Sequence, residues 1–159
     1  MRQDLPEPES TDQFARRVSG ALPANTAGWT LLLEGDLGSG KSTFARALIR
    51  ALGHQGAVPS PTYTLIEPYD VSGRVIYHVD LYRVTEESEL RYLGWTDLED
   101  GLRLVEWPDR SPGLASRADL RLSLEYADPG RTATLEGLSD RGRALVTALE
   151  NSPDTQSED

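Results

Sequence analysis

Gly35-Asp-Leu-Gly-Ser-Gly-Lys-Ser42 is a complete match to the pattern G-x-x-x-x-G-K-[ST]. Its glycines let the backbone curl until successive amide groups point at phosphate oxygens, and a helix beginning at Lys41 would add its positive N-terminal end. We expect the Lys41 ammonium to reach the β- and γ-phosphates of a nucleotide and the Ser42 hydroxyl to bind Mg²⁺. A glycine-rich turn with no ligand is the alternative interpretation.

The segments on either side of this loop favour the phosphate-binding interpretation. Residues 29–34 are almost continuously apolar, as expected for a strand that is buried on both faces. After Lys41, apolar residues such as Phe44 and Leu48 recur at helical spacing, and Gly53 suits the end of that helix. The sequence therefore predicts a strand, a phosphate-binding loop and a helix in succession.

The rest of the chain predicts strands in hairpins and further helices. Ser10 and Gln13 form a capping-box pattern before a first helix, and Ser139 precedes a last one. Further strands are predicted at residues 63–69, 75–80, 102–107, 120–126 and 131–136, and a short helix at 85–93.

These elements predict a single α/β domain at residues 10–150, with a P-loop NTPase-like mixed β-sheet flanked by helices. A flexible N-terminal lead-in is predicted at residues 1–9 and a disordered acidic tail at residues 151–159.

Composition excludes several classes of protein. The 159 residues carry a net charge of −10, but much of the acidity lies in residues 1–12 and 148–159. There is no cysteine, which excludes disulfides, a thiolate nucleophile and Cys-ligated zinc. No apolar run approaches the roughly 18 residues of a membrane span, and the first residues have no apolar signal core, so we expect a cytoplasmic protein.

The basic residues are unevenly chosen, with 15 arginines and a single lysine, Lys41. A compact ammonium is not interchangeable with guanidinium in a tight phosphate cradle, so the position of this lysine supports the loop assignment. An Asn-Lys-x-Asp motif, typical of guanine recognition, is absent from the sequence, which favours ATP. Phosphoryl chemistry also needs a carboxylate for Mg²⁺, and Asp80 and Glu106 each follow an apolar strand. From spacing alone, either acid is a site residue or a surface acid at a strand end.

The sequence resembles the TsaE family (also called YjeE), the ATPases of bacterial tRNA threonylcarbamoyladenosine biosynthesis. Four blocks carry the resemblance, and they occur in the order Gly35-Asp-Leu-Gly-Ser-Gly-Lys-Ser-Thr43, Ser60-Pro-Thr-Tyr63, His78-Val-Asp-Leu-Tyr-Arg83 and Val105-Glu-Trp-Pro108. Ordinary nucleotide kinases do not carry the last two blocks together. The resemblance covers about residues 10–126.

The resemblance implies a role for each matched residue. The phosphates would be held by Gly38, Ser39, Gly40, Lys41, Ser42 and Thr43. Thr62 would act in a switch segment near the metal or the γ-phosphate, and Asp80 would stand at the Walker B position. Glu106 would bind Mg²⁺ or orient the attacking water, two roles that the sequence does not separate. Trp107 would lie beside the nucleotide and Thr11 would contribute to the base pocket. His78 could reach the site or satisfy a buried hydrogen bond, and it is left out of the predicted set.

The function implied by the resemblance is an ATP- and Mg²⁺-dependent ATPase subunit that is weak without its partners. TsaB and TsaD would transfer the threonylcarbamoyl group to an adenosine next to the tRNA anticodon, and this chain would support their turnover. The sequence does not decide whether the chain contacts tRNA directly. Two alternatives remain: a P-loop kinase of a small metabolite, disfavoured because no Arg-rich lid insertion is seen, and a nucleotide-gated docking module with incidental hydrolysis.

Overall fold

A seven-stranded mixed β-sheet forms the centre of the computed structural model, which describes residues 1–61 and 65–152. The strands are β1 (Arg2–Leu5), β2 (Thr30–Glu34), β3 (Ile66–Val71), β4 (Arg74–Asp80), β5 (Leu102–Glu106), β6 (Leu120–Tyr126) and β7 (Arg131–Gly137). The α-helices are α1 (Pro8–Ala21), α2 (Lys41–Ala51), α3 (Glu89–Tyr92) and α4 (Asp140–Asn151). Short 3-10 helices lie at Trp95–Leu98, Pro108–Arg110 and Pro112–Ser116. The predicted α/β fold with a mixed sheet is confirmed.

The order of the strands places the candidate site residues at one edge of the sheet. The order is β1-β7-β6-β2-β5-β4-β3, and the four central strands β6, β2, β5 and β4 run parallel to one another. Leu33 of β2 is paired with Glu106 of β5, and Glu106 is paired in turn with Asp80 of β4. Because parallel strands end at the same edge, the loop after β2 and both acids meet there.

Apolar side chains cover both faces of β2, which explains its continuous hydrophobic sequence. Leu31 and Leu33 belong to a core beneath α1, α2 and α4, whereas Leu32 belongs to a second core with Val79 and Val105. Residues of α3 and the 3-10 helices, such as Leu90, Leu98 and Leu114, complete the second core. The loop after β2 thus begins at a strand that is buried on both faces.

The flexible lead-in predicted at residues 1–9 needs correction. Arg2–Leu5 forms β1, which pairs antiparallel with β7, and Leu5 is buried. Helix α1 also begins earlier than predicted: its N-cap is Glu7, whose amide donates to the Ser10 hydroxyl at 3.2 Å, so Ser10 lies inside the first turn. A short edge strand with one buried side chain has too little alternation to be recognised in a sequence.

Other elements agree with the predictions to within a few residues. Helix α2 begins at Lys41, β6 spans Leu120–Tyr126, and the Ser139 hydroxyl accepts from the Gly142 amide at the start of α4. The helix predicted at 85–93 is only one turn, Glu89–Tyr92. The predicted tail lies outside the described residues from 153 onward, and residue 151 still belongs to α4. Within the described ranges, no helix is long and apolar enough to cross a membrane.

Candidate nucleotide-binding site

The glycine-rich loop connects β2 to α2 through backbone conformations that favour glycine. Gly40 is the N-cap of α2 and has φ 109°, and Gly38 has φ 79°. Side chains with a β-carbon rarely adopt such positive φ angles, so both glycines are needed for the turn of the chain. The loop leads directly into the first turn of α2, which supplies a helix N-terminus at this edge of the sheet.

Lys41 lies buried at the start of α2, with 5% of its surface exposed. Its ammonium donates to the carbonyl oxygen of Gly35 and, at 3.3 Å, to that of Asp36. It also lies 3.6 Å from the centroid of the Trp107 ring, a cation–π contact. Burial lowers the pKa of the Lys41 ammonium, and the nearby carboxylate of Glu106 offsets part of this effect.

The carboxylate of Glu106 has a separate partner for each of its oxygens. Oε1 accepts from the Ser42 hydroxyl at 2.8 Å, and Oε2 lies 2.5 Å from Nε2 of His78. An ionised carboxylate can only accept, so the imidazole donates. Burial raises the pKa of Glu106, but the hydrogen bonds from His78 and Ser42 outweigh burial and the pKa lies below its ordinary value. Glu106 is therefore a buried, charged carboxylate next to the loop.

Asp80 lies in the same cleft but has a different neighbour. Its Oδ1 accepts from the backbone amide of Tyr82 at 2.9 Å, and 6% of the residue is exposed. The acid that contacts Ser42 is Glu106, because β5 and not β4 lies next to β2. A Walker B role for Asp80 remains a prediction.

The predicted residues meet in a cleft of about 300 Å³. It is lined by Leu37, Gly38, Gly40, Lys41, Ser42, Thr43, Asp80, Tyr82, Glu106 and Trp107. The structure thus brings together most of the residues that the sequence singled out. The Ser39 side chain is buried and does not line the cleft, and neither does Thr11, which is half-buried on α1. Thr62 lies outside the described residues.

Two side chains outside the predicted set, those of His78 and Tyr82, also lie at this site. His78 is fully buried and touches Glu106, and its alternation with Asp80 along β4 was the signal that placed it on the same face. The Tyr82 ring lies 5.0 Å from the ring of Trp107 and lines the cleft. Trp107 itself has a positive φ of 59°, unusual for a bulky residue, which fits a position constrained by the site.

Known proteins resemble this chain in both sequence and fold. The sequence model of the family described as "Threonylcarbamoyl adenosine biosynthesis protein TsaE" matches residues 5–133. The chain belongs to the TsaE family. The family resemblance predicted from the four sequence blocks is therefore confirmed, and with it a place among the proteins of tRNA threonylcarbamoyladenosine biosynthesis.

Individual relatives support the membership over most of the chain. The TsaE protein of Haemophilus influenzae is 40% identical over 121 residues, which cover 75% of this chain and 77% of that protein. The TsaE protein of Bacillus subtilis is 34% identical over 144 residues, 89% of each chain. The crystal structure of Bacillus subtilis YdiB superposes with a TM-score of 0.66 at 27% identity and covers 95% of this chain and 93% of that one.

Proposed function

We propose that this TsaE family member binds and hydrolyses ATP with Mg²⁺, and that it acts with TsaB- and TsaD-like proteins to support threonylcarbamoyladenosine formation on tRNA. One observation carries the proposal: the lysine of the phosphate-binding loop and two buried carboxylates line the same cleft. Lys41, Asp80 and Glu106 come from three different elements, and each is nine-tenths or more buried. Buried charges concentrated in a cleft indicate a site that handles charged groups.

The side chains at this edge fit a magnesium ion. Mg²⁺ prefers oxygen ligands and is usually bound by one or two carboxylates together with the phosphates of its nucleotide. Ser42 and Asp80 supply such oxygens, and Glu106 holds the Ser42 hydroxyl through its Oε1. Across residues 1–61 and 65–152, no three or more His, Cys, Asp or Glu side chains are grouped so that they could hold a metal ion by themselves. In this proposal, oxygen atoms of the nucleotide would therefore have to supply the remaining ligands. When bound, the ion would neutralise charge on the phosphates.

The chain's own residues have distinct tasks in this proposal. The loop amides and Lys41 hold the β- and γ-phosphates, and the Lys41 ammonium offsets the charge that develops during transfer. A carboxylate oxygen of Glu106 orients a water molecule and takes up its proton as the water oxygen bonds to the γ-phosphorus. The bond between that phosphorus and the bridging oxygen breaks, which yields ADP and phosphate. His78 holds the Glu106 carboxylate in place during this step.

Two substitutions separate binding from hydrolysis. We expect Lys41→Ala to weaken ATP binding by about tenfold or more, because a charged hydrogen-bond donor is lost. Glu106→Gln should leave binding close to wild type and lower hydrolysis by about 100-fold or more, since the amide cannot accept a proton. Calorimetric titration of ATP and phosphate release in the presence of TsaB and TsaD measure the two effects. Glu9→Gln, an exposed acid on α1, is the matched control.

The same assay distinguishes the alternatives. Wild-type hydrolysis in both variants would refute the assigned roles. ADP release that depends on an added small-molecule acceptor would favour a kinase. Normal threonylcarbamoyladenosine formation by the Glu106→Gln protein, despite lost hydrolysis, would favour a docking module that needs nucleotide binding only.

A further inference from the structure

The outer side of the phosphate-binding loop is held by two side chains from the β6–β7 hairpin, Arg131 and Tyr126. Arg131 donates from Nε to the Ser39 carbonyl at 3.1 Å and from Nη2 to the Gly38 carbonyl at 3.2 Å. The Tyr126 hydroxyl donates to the Leu37 carbonyl at 3.2 Å. Three consecutive carbonyls of the loop are therefore bonded to side chains outside it. We call Arg131 and Tyr126 the loop clamp.

The loop clamp is itself held in position. The Arg131 guanidinium lies 4.3 Å from the centroid of the Tyr126 ring, and its Nη1 donates to the Gly130 carbonyl at 3.0 Å. A β-carbon on Gly38 would lie 2.8 Å from the Tyr126 hydroxyl oxygen, so the ring and the loop are in close contact. A planar guanidinium with several fixed donors suits two neighbouring carbonyls in a way that a single ammonium does not.

Peptide geometry connects the clamp to the cleft on the other side of the loop. In a trans peptide, the carbonyl of one residue and the amide of the next point in opposite directions. Holding the carbonyls of Leu37 and Ser39 outward therefore turns the amides of Gly38 and Gly40 the other way. Both glycines line the cleft. The amide between them, that of Ser39, is bonded within the loop to the Asp36 carbonyl at 3.0 Å.

We propose that Arg131 and Tyr126 are positioning residues that preset the Gly38 and Gly40 amides for the β-phosphate of a nucleoside di- or triphosphate. This inference rests on the proposed function of the same cleft. Without the clamp, the loop would have to order itself on binding, and the ordering entropy would be subtracted from the affinity. The clamp therefore acts on nucleotide affinity and not on the chemical step.

The test is titration of ADP into the full chain at a temperature where every variant is folded. We expect the Kd for ADP to rise about tenfold in Arg131→Ala and about threefold in Tyr126→Phe, which keeps the ring and loses one hydrogen bond. Arg131→Lys keeps the charge but not the forked donors, so its Kd should stay close to that of Arg131→Ala. Arg143→Ala, which removes an exposed arginine on α4, should match wild type.

A second readout separates positioning from a merely structural role. In ATP hydrolysis with the partner proteins, the clamp variants should raise KM and leave kcat within about twofold of wild type, because only binding is affected. Unchanged Kd in both Arg131→Ala and Tyr126→Phe would overturn the inference, and so would wild-type affinity in Arg131→Lys. A wild-type chain that does not bind ADP would instead refute the nucleotide-binding proposal on which the inference depends.

Discussion

At the scale of single residues, the two oxygens of the Glu106 carboxylate contact different parts of the molecule. One contacts Ser42 in the cleft, and the other contacts the buried His78 ring. The oxygen bonded to Ser42 lies on the loop side, whereas the oxygen bonded to His78 faces a ring with no exposed surface. In the described part of the chain, Nδ1 of His78 has no hydrogen-bond partner, so its contact with Glu106 is the polar contact that orients the ring. Such outer partners commonly fix the direction of an acid that binds metal or water.

If the chain hydrolyses ATP as proposed, substitution of His78 should affect hydrolysis more than ATP binding. Asn is too short to reach Glu106, so we expect His78→Asn to lower kcat by about tenfold with KM nearly unchanged. The amide nitrogen of Gln lies at about the same distance from the backbone as Nε2, so His78→Gln should recover much of the loss. Steady-state ATP hydrolysis with the partner proteins measures both constants. Equal loss in the Asn and Gln proteins would contradict an orienting role.

At the scale of elements, Asp119 connects β2, β6 and α4 at the end of the sheet opposite the phosphate-binding loop. It precedes β6, and it accepts from the amide of Thr30 in β2 at 3.0 Å and from the Ser139 hydroxyl at 2.7 Å. Two nitrogens of Arg141 in α4 donate to it at 2.7 Å and 3.0 Å. Burial raises the pKa of Asp119, but the hydrogen bonds from Arg141 and Ser139 outweigh burial and the pKa lies below its ordinary value.

The hydrogen bonds to Asp119 predict a pH dependence of the unfolding free energy. Because the folded-state pKa of Asp119 is depressed, its contribution is present above the unfolded-state pKa of about 4 and is lost as pH falls through the lower folded-state pKa. Asp119→Asn should lower the unfolding free energy by about 1–3 kcal/mol at pH 7. It should also make the fall of the unfolding free energy below about pH 4 less steep than in wild type. Urea denaturation between pH 7 and pH 3 measures this, with the exposed Asp140→Asn as control. Parallel pH profiles of wild type and Asp119→Asn would contradict the prediction.

Elements with local signals were predictable from the sequence, whereas the order of strands was not. Helix α2, the phosphate-binding loop and the Ser139 N-cap of α4 each depend on a few neighbouring residues, and the sequence predicts all three. The placement of β5 between β2 and β4 depends on packing across the whole sheet, so the contact of Glu106 with Ser42 could not be read from spacing. The contact of Arg131 with the loop joins residues more than ninety positions apart and has no local signal.

At the scale of the whole molecule, strand β1 at the start of the chain is the edge strand of the sheet, and it pairs with β7 of the hairpin that carries the loop clamp. In β1, Leu5 is paired with Arg131 of β7, and its side chain lies in the core beneath α1, α2 and α4. Arg17 of α1 also contacts α4 and donates to the Leu149 carbonyl at 3.2 Å. The first residues are therefore paired with the sheet and packed into its core.

Shortening Leu5 should destabilise the whole molecule. Leu5→Ala leaves a cavity in the core and should cost about 2–4 kcal/mol of unfolding free energy. Leu37→Ala is a matched control with the same change in a side chain that is 78% exposed, and it should cost less than about 0.5 kcal/mol. Urea denaturation followed by circular dichroism gives both values. A Leu5→Ala midpoint equal to that of the control would show that β1 is dispensable.

The contact between Lys41 and Trp107 predicts that the fluorescence of Trp107 responds to ligand binding. Each of the three tryptophans faces a cation: Arg141 lies 4.6 Å from the Trp29 ring, Arg103 lies 4.9 Å from Trp95, and the Lys41 ammonium lies 3.6 Å from Trp107. Indole emission responds to charge against the ring, and the two arginines belong to contacts away from the cleft. A phosphate that attracts the lysine should therefore change the fluorescence of Trp107 above a steady background from the other two tryptophans, and we expect this change to report ligand binding.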